Sequence, residues 1–247
     1  MKFLKVITHS KIVKYFFYAI PLDFLILFSQ RITWIFARLL LLKDWHHETR
    51  GRPQFFKHNV NLVCWPFEPE RWAFTARGVF ARANMNRGCR VLDLCCGDGT
   101  YSKFYFSDIA NFVDAVDSDH YAIKYARQFH SVVNVNYHEL DIVNEAFPSN
   151  KYDLFVWNAA ICYFNVSEIQ IVIEKIIKAS ASGALFVGMC PKANGWIDHK
   201  TEFVDSKALK CYLGQFYANV TVREIEDTLT TSLYFQASEA LKIPRII

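Results

Sequence analysis

The strongest constraint on the fold is a short apolar run that leads into a glycine-rich turn. Residues 90–99 read Arg-Val-Leu-Asp-Leu-Cys-Cys-Gly-Asp-Gly. Residues 91–94 have the composition of a short buried strand, and residues 100–107 continue as a plausible helix. Gly97 and Gly99 let the backbone turn tightly and approach a ligand closely. A strand, a glycine turn and a helix N-terminus in this order predict an α/β domain that binds an adenosine or phosphate group.

Two common nucleotide-binding motifs do not fit this turn. A dinucleotide fingerprint that starts at Gly97 requires glycine at position 102, where Ser102 stands, and the G-K-[ST] end of a P-loop is absent. The turn has instead an acid within the strand, Asp93, then the small residue Cys95, and then the two glycines. The pattern is therefore D-x-small-x-G-x-G.

This pattern resembles the first motif of the class I S-adenosylmethionine-dependent methyltransferases, [DE]-x-G-x-G-x-G, with cysteine at the first glycine position. The resemblance extends over about residues 68–240. It implies an α/β fold with a doubly wound, Rossmann-like, seven-stranded sheet in the order 3-2-1-4-5-7-6. It also implies S-adenosyl-L-methionine as cofactor, with Asp93, Cys95, Gly97 and Gly99 among the residues that bind it.

Further acidic residues follow the next two predicted strands. Residues 112–117 form a strand that ends in Asp117, and a carboxylate at this position can accept from both ribose hydroxyls. The resemblance assigns this role to Asp117, with Ser118 beside it. After the third strand, the family places an acid that accepts from the adenine amino group, which corresponds to Asp141, followed by Ile142.

The fourth strand leads into a loop at 158–164, which the family places over the sulfonium and the acceptor. Asn158 is assigned to the cofactor contacts. Tyr163 is the candidate catalytic residue because it occupies the acceptor-facing part of this loop. A tyrosine with an ordinary pKa near 10 is a poor base at neutral pH, so His199 and His58 stay as alternative bases.

The remaining pattern completes the sheet and its helices. Strands are predicted at 134–137, 152–157, 184–189, 219–225 and 231–236, and helices at 70–84, 167–180 and 206–216. Gly183 is expected to end the second of these helices.

The first 43 residues differ from the rest of the chain in charge and composition. They hold seven basic residues, one acid and nine aromatic residues, a net charge of +6, whereas the remainder holds 21 basic and 23 acidic residues. Helices are predicted near 11–29 and 30–43. They either lie in a membrane interface or pack on the catalytic body or on a second subunit. A single membrane span is disfavoured because the uncharged runs are shorter than the roughly 18–20 residues it needs.

Three segments follow from these features. Residues 1–43 form a basic, aromatic-rich helical extension, 44–84 a linker and a preamble helix, and 85–247 the cofactor-binding domain. Seven cysteines without a C-x-x-C pair favour a reducing compartment, so the expected location is cytoplasmic, with peripheral contact to the inner membrane face if the extension binds lipid. Adjacent histidines at 46 and 47 point apart, and no metal site is expected.

These observations predict metal-independent methyl transfer to a small-molecule, lipid-linked or saccharide acceptor. The body lacks the basic excess of a nucleic-acid enzyme. The loop after the fourth strand also lacks the N-P-P-Y sequence of the amino-group nucleic-acid methyltransferases, and Asn158 is not the carboxylate ligand of the metal-dependent catechol type. The alternative is a non-catalytic binding or membrane-scaffold module of the same fold. Cys95 at the first glycine position and the lack of a convincing catalytic base favour this alternative. The acceptor atom and the oligomeric state are not predicted.

Overall fold

The computed structural model describes residues 22–48, 72–195, 198–226 and 231–241. The strands are β1 (Arg90–Leu94), β2 (Phe112–Asp117), β3 (Val135–Glu139), β4 (Tyr152–Asn158), β5 (Ser180–Pro191), β6 (Tyr217–Glu226) and β7 (Thr231–Ala240). The α-helices are α1 (Leu22–Glu48), α2 (Trp72–Ala83), α3 (His120–Phe129), α4 (Val166–Ala179) and α5 (Ser206–Leu213), with a π-helical turn at Ser102–Phe106 and a 3-10 turn at Ile161–Tyr163.

The seven strands form one sheet in the order β3-β2-β1-β4-β5-β7-β6. The pairs from β3 through β5 are parallel, and β7 runs antiparallel to both of its neighbours. This is the predicted strand order. The central strands are apolar and buried on both faces, as expected where helices cover both sides of a parallel sheet.

The two faces of the sheet carry separate hydrophobic clusters. Leu92 and Leu94 point into one cluster, which includes the apolar faces of α4 and α5. Val91 points into the other, which includes residues of α2, the π-helical turn and α3. Alternate residues of β1 thus serve opposite layers, and the carboxyl ends of β1, β2 and β4 meet at the edge where the glycine turn begins.

The predicted helix at 167–180 agrees with α4 within one residue at both ends, but the role predicted for Gly183 does not. Asn165 caps the helix in a capping box with Glu168, each side chain bonding the other's backbone N–H. The predicted end at Gly183 is wrong, because the helix ends at Ala179 and β5 begins at the next residue. Gly183 lies inside β5 with φ +75°, and the register with β4 shifts between Tyr152 and Leu154.

The N-terminal extension also differs from the prediction. A single helix, α1, runs from Leu22 to Glu48, where a helix boundary was expected at 29/30 and an irregular linker from residue 44. No glycine or proline occurs between 22 and 48, so no residue in this stretch breaks a helix. The predicted part before residue 22 lies outside the described residues, as does His58.

Helix α1 exposes an apolar stripe, which we define as Phe24, Phe28, Ile32, Ile35 and Leu39. These residues follow one another at intervals of three or four, so they share one face, and all five side chains are exposed. Among the described residues, no helix combines the length and the apolar character required to cross a membrane.

Candidate active site

The carboxylate of Asp117 joins the end of β2 to the glycine turn. Its Oδ2 accepts from the backbone N–H of Gly97 at 2.9 Å, and its Oδ1 accepts from the backbone N–H of Asp119 at 2.9 Å. The turn itself is closed by a bond from Gly99 N–H to the carbonyl of Cys96. The structure therefore brings together the turn and the acid that the sequence placed 18 residues further on.

The backbone of the turn occupies left-handed conformations at three positions. Cys95, Gly97 and Gly99 have φ of +56°, +54° and +75°. Around Gly97, the space that a Cβ would fill is open, whereas a Cβ on Gly99 would lie 2.5 Å from the Tyr137 ring. Gly97 thus leaves room beside the turn, while Gly99 permits close packing below it. Cys95 adopts a conformation that suits the glycine of the family motif.

Negative charge accumulates beneath the turn. Asp93 is buried, and its Oδ2 accepts from Ser102 Oγ at 2.6 Å. Burial raises the pKa of Asp93 to about 7, partly offset by the Ser102 bond, and the nearby carboxylates Asp117 and Asp98 raise it further. Burial also raises the pKa of Asp117, against the lowering effect of the backbone N–H groups that it accepts from. A cationic ligand at this edge would relieve that repulsion.

The residues predicted to surround the adenosine lie along the neighbouring strand ends. Asp141 comes directly after Leu140, whose N–H donates to the carbonyl of Asp117. The Asp141 carboxylate accepts from Val143 N–H at 2.8 Å and from the Asn144 amide at 2.7 Å, so it closes its own turn. Ile142 is buried in the core. Ser118 is exposed at the end of β2.

Asn158 ends β4 with an amide that has no internal partner. Its side chain is 9% exposed, and neither its Oδ1 nor its Nδ2 makes a hydrogen bond within the described residues. Burial of an amide without hydrogen bonds destabilises the protein unless a ligand pairs with the amide. The neighbouring Trp157 is buried, and its indole N–H likewise has no hydrogen bond within the described residues. This N–H lowers the pKa of the Cys95 thiol, against the effect of burial.

Tyr163 lies at the end of the 3-10 turn and is 38% exposed. Its ring meets the ring of His199 edge-on, with centroids 5.4 Å apart. The Nδ1 of His199 lies 3.4 Å from Glu202 Oε1. Burial raises the pKa of Tyr163, and Cys162 and Asp198 raise it further. At neutral pH the phenolate, which is the form that can accept a proton, is therefore even less populated than in an ordinary tyrosine.

The cysteines of the site are unsuited to nucleophilic catalysis. Burial raises the pKa of Cys162 to about 11. Burial, followed by the charge of Asp117, also raises the pKa of Cys95 and Cys96 well above its ordinary value. Because the thiolate is the reactive form, these side chains act as packed thiols. The described parts of the chain contain no group of three or more His, Cys, Asp or Glu side chains placed to hold a metal ion.

Two polar residues near Tyr163 were missed from the sequence. The Nε of Arg77, on α2, and the Oγ1 of Thr201 are both buried, and neither has a hydrogen-bond partner among the described residues. Both lie near Cys162: the N–H of Thr201 donates to its carbonyl at 3.1 Å, and the charge of Arg77 acts on its thiol. The one sequence signal for these residues is an arginine within an otherwise apolar helix. The contacts themselves join segments far apart in the chain, so no local pattern predicts them.

Comparisons with known proteins agree with this geometry. Residues 91–183 match the profile of a family described as a methyltransferase domain. No curated protein sequence matches the chain. Three of the similar solved structures are as follows. DhpI in its SAH complex is 18% identical, with a TM-score of 0.57, over 72% of this chain and 88% of that chain. The N-methyltransferase NodS from Bradyrhizobium japonicum WM9, in complex with S-adenosyl-L-homocysteine (SAH), is 16% identical, with a TM-score of 0.55, over 70% and 87%. TehB from Haemophilus influenzae is 17% identical, with a TM-score of 0.54, over 66% and 61%. At these identities the structural matches establish the shared fold.

Proposed function

We propose that this chain, whose residues 91–183 match a methyltransferase-domain family, is a class I S-adenosylmethionine-dependent methyltransferase. It would transfer a methyl group from S-adenosylmethionine to a small-molecule, lipid-linked or saccharide acceptor. The observation that carries the proposal is the cradle at the carboxyl edge of the sheet. There the Asp117 carboxylate holds the N–H of Gly97 at 2.9 Å, and the space beside Gly97 is open. Ligands of doubly wound sheets bind at this edge.

The charge and the hydrogen-bonding groups of this edge support S-adenosylmethionine as its ligand. We assign the ribose hydroxyls to Asp117, with Ser118 beside it. Asp141 and Ile142 flank the expected adenine position. Asn158 offers an amide whose donor and acceptor atoms make no hydrogen bond within the part of the chain that the structure describes. The carboxylates beneath the turn favour a cation, and when bound the cofactor supplies a methyl group on a positively charged sulfur.

The cofactor carries an activated methyl group, so the protein's main task is to position the acceptor and take up its proton. We assign acceptor contact to Tyr163 at the mouth of the site. His199 is the better candidate base, because its ring touches Tyr163 and one of its nitrogens faces Glu202. A carboxylate on one imidazole nitrogen fixes the tautomer and the orientation of the ring. The proposed reaction requires no metal ion.

We also propose that α1 holds the protein at an anionic membrane surface, on the cytoplasmic side. The exposed apolar stripe of α1 supports this assignment, since monomeric soluble proteins rarely present so continuous an apolar surface. The extension that contains it carries a net charge of +6 over residues 1–43, which favours anionic head groups. A lipid-linked acceptor would then reach the site at the surface where the enzyme is bound.

Calorimetric titration of S-adenosylmethionine and SAH into the full chain tests the proposed reaction. We expect both to bind, and we expect Asp117→Ala to weaken SAH binding by at least about tenfold, since a charge-assisted pair to the ribose is lost. Asp108→Ala is the matched control, because that exposed carboxylate pairs with Arg82 away from the turn. Equal affinity of wild type and Asp117→Ala would refute the ribose assignment. Absence of binding by the wild type would refute methyl transfer. Undiminished binding in the presence of EDTA is expected of a metal-independent site.

A further inference from the structure

Helix α2 carries two arginines with opposite environments. The guanidinium of Arg82 pairs with both oxygens of Asp108, at 2.5 and 2.8 Å, and also donates to the carbonyl of Tyr105. Arg77, five residues earlier, has no ion pair within the described residues, and its Nε is buried without an acceptor. Its guanidinium carbon lies 4.7 Å from the centroid of the Phe74 ring. Arg82 is thus paired with a carboxylate, whereas Arg77 has a donor that a ligand could use.

The position of Arg77 is set by the packing of α2. The Tyr101 hydroxyl donates to the carbonyl of Phe74 at 2.8 Å. One turn further, Gly78 lies so close to the Tyr105 ring that a Cβ would come within 2.7 Å of it. These two contacts bracket Arg77 and anchor this part of α2 against the segment that follows the glycine turn. Stacking on Phe74 further restricts the side chain.

The charge of Arg77 acts toward the acceptor side of the site. It opposes the burial that raises the pKa of Tyr101, Cys162 and Tyr163. Thr201 contacts the same loop, because its N–H donates to the carbonyl of Cys162 at 3.1 Å. Within the described residues, the buried Oγ1 of Thr201 and the Nε–H of Arg77 both lack a hydrogen-bond partner. A cation whose charge reaches the loop of Tyr163 and a hydroxyl held beside that loop are thus both available to a ligand.

The acidic residues near this loop do not pair with Arg77. Glu202 already accepts at its Oε1 from the N–H groups of Asn194 and Gly195, at 3.2 and 3.0 Å, and faces His199. Asp198 acts on the pKa of Tyr163 but forms no ion pair with Arg77. A guanidinium with a buried, unpaired N–H is costly without an anion, and its planar fork matches carboxylate and phosphate oxygens.

We propose that the acceptor carries an anionic oxygen group, a carboxylate or a phosphate, which Arg77 binds with Thr201 as a second donor. The inference rests on the proposed methyl transfer, because it describes the substrate of the same site. It narrows the acceptors to anionic molecules and makes Arg77 a specificity-determining residue. A neutral saccharide without such a group would leave the Arg77 Nε–H unpaired.

The test follows the Arg77 Nε–H directly by nuclear magnetic resonance on the full chain saturated with SAH. Inorganic phosphate and acetate serve as probes, titrated separately at an ionic strength held constant with sodium chloride. We expect the Arg77 Nε–H signal to shift saturably with at least one probe. The Arg82 Nε–H signal, on an arginine already paired, is the internal control and should stay in place. The probe that shifts Arg77 more strongly identifies phosphate or carboxylate as the preferred group.

Variants complete the experiment. Arg77→Gln should weaken the probe's binding by about 10- to 100-fold, the range of a lost charge-assisted pair. Arg77→Lys, which keeps the charge but loses the fork, should fall between, and Arg82→Gln should bind as the wild type does. No saturable shift at Arg77, equal shifts at both arginines, or unchanged affinity in Arg77→Gln would overturn the inference. The wild-type signals decide the matter even if Arg77→Gln fails to fold.

Calorimetry of SAH on the same samples separates the two proposals. SAH binding without anion binding would refute only the role of Arg77. Anion binding without SAH binding would leave an anion site at Arg77 and refute methyl transfer. Retained SAH affinity in Arg77→Gln, together with lost probe binding, is the expected combination.

Discussion

At the scale of single residues, two glycines of one turn serve different purposes. Both have positive φ, which costs a residue with a Cβ about 1–2 kcal/mol. They differ in their surroundings, since a Cβ meets nothing within 4 Å at Gly97 and the Tyr137 ring at 2.5 Å at Gly99. The open side of Gly97 faces the proposed cofactor position, whereas Gly99 faces the core.

Alanine at the two positions should therefore give opposite patterns. We expect Gly97→Ala to lower the free energy of unfolding by only about 1 kcal/mol but to weaken SAH binding strongly. Gly99→Ala should cost about 2–4 kcal/mol, because strain adds to the clash with Tyr137. Urea unfolding and calorimetry of both variants provide the measurement. A Gly97→Ala protein that binds SAH as tightly as the wild type would contradict the assigned role of this glycine.

At the scale of elements, α1 differs from the helices that cover the sheet in the exposure of its apolar residues. Helices α4 and α5 direct their apolar residues into the core, whereas α1 exposes its stripe of Phe24, Phe28, Ile32, Ile35 and Leu39. The transfer of such apolar side chains from water into the acyl boundary of a membrane is favourable.

Cosedimentation with vesicles that contain phosphatidylserine checks this role of α1. We expect the full chain to bind, more weakly at high salt, and a variant with Phe28→Ser and Phe36→Ser to bind at least about tenfold more weakly. The α1 variant also tests Phe36, an exposed apolar residue of α1 that lies beside the stripe. A variant with Val133→Ser and Val204→Ser is the control, since these apolar side chains are also exposed but lie outside α1. Equal binding of the α1 variant and the wild type would exclude the membrane role.

At the scale of the whole molecule, the buried acids make stability depend on pH. The pKa of Asp93 rises from 3.8 to about 7 on folding, so the folded protein binds more protons in this range. The stabilisation that this group contributes is fully present below pH 3.8 and is lost as the pH rises through about 7. Asp117, with a raised pKa, acts in the same direction. The buried His130, with a lowered pKa, acts in the opposite direction below its ordinary value of 6.5.

Comparison of the wild type with Asp93→Asn isolates the contribution of Asp93. Asparagine can still accept from Ser102 but does not titrate. We expect the free energy of unfolding of the variant, relative to the wild type, to rise by about 2 kcal/mol between pH 5 and pH 8. Urea titrations across this range measure it, with His130 and Asp117 common to both proteins. A constant difference across the range would show that the buried carboxylate does not titrate there.

Local patterns in the sequence predict the individual strands and the glycine turn. The strand order followed from one resemblance, anchored by Asp93, Gly97, Gly99 and the acid at the end of the second strand, and the structure has that order. Glycines and capping residues act on their immediate neighbours, so their effect can be read along the chain. The role of Gly183 escaped prediction because β5 begins at Ser180, which pairs with Tyr152 of β4, a contact that no local pattern contains.

The surroundings of the proposed acceptor position depend on contacts between segments that are distant in the sequence. Arg77 and Tyr163 are 86 positions apart, yet the charge of Arg77 opposes the rise that burial causes in the pKa of Tyr163. Tyr101 and Tyr105 hold the part of α2 that carries Arg77. The same holds for Tyr163 and His199, whose contact depends on how the segment after β5 folds back. Burial and the absence of an internal partner are properties of the packed molecule. A charged residue in an apolar helix therefore becomes informative only when its neighbours in space are known.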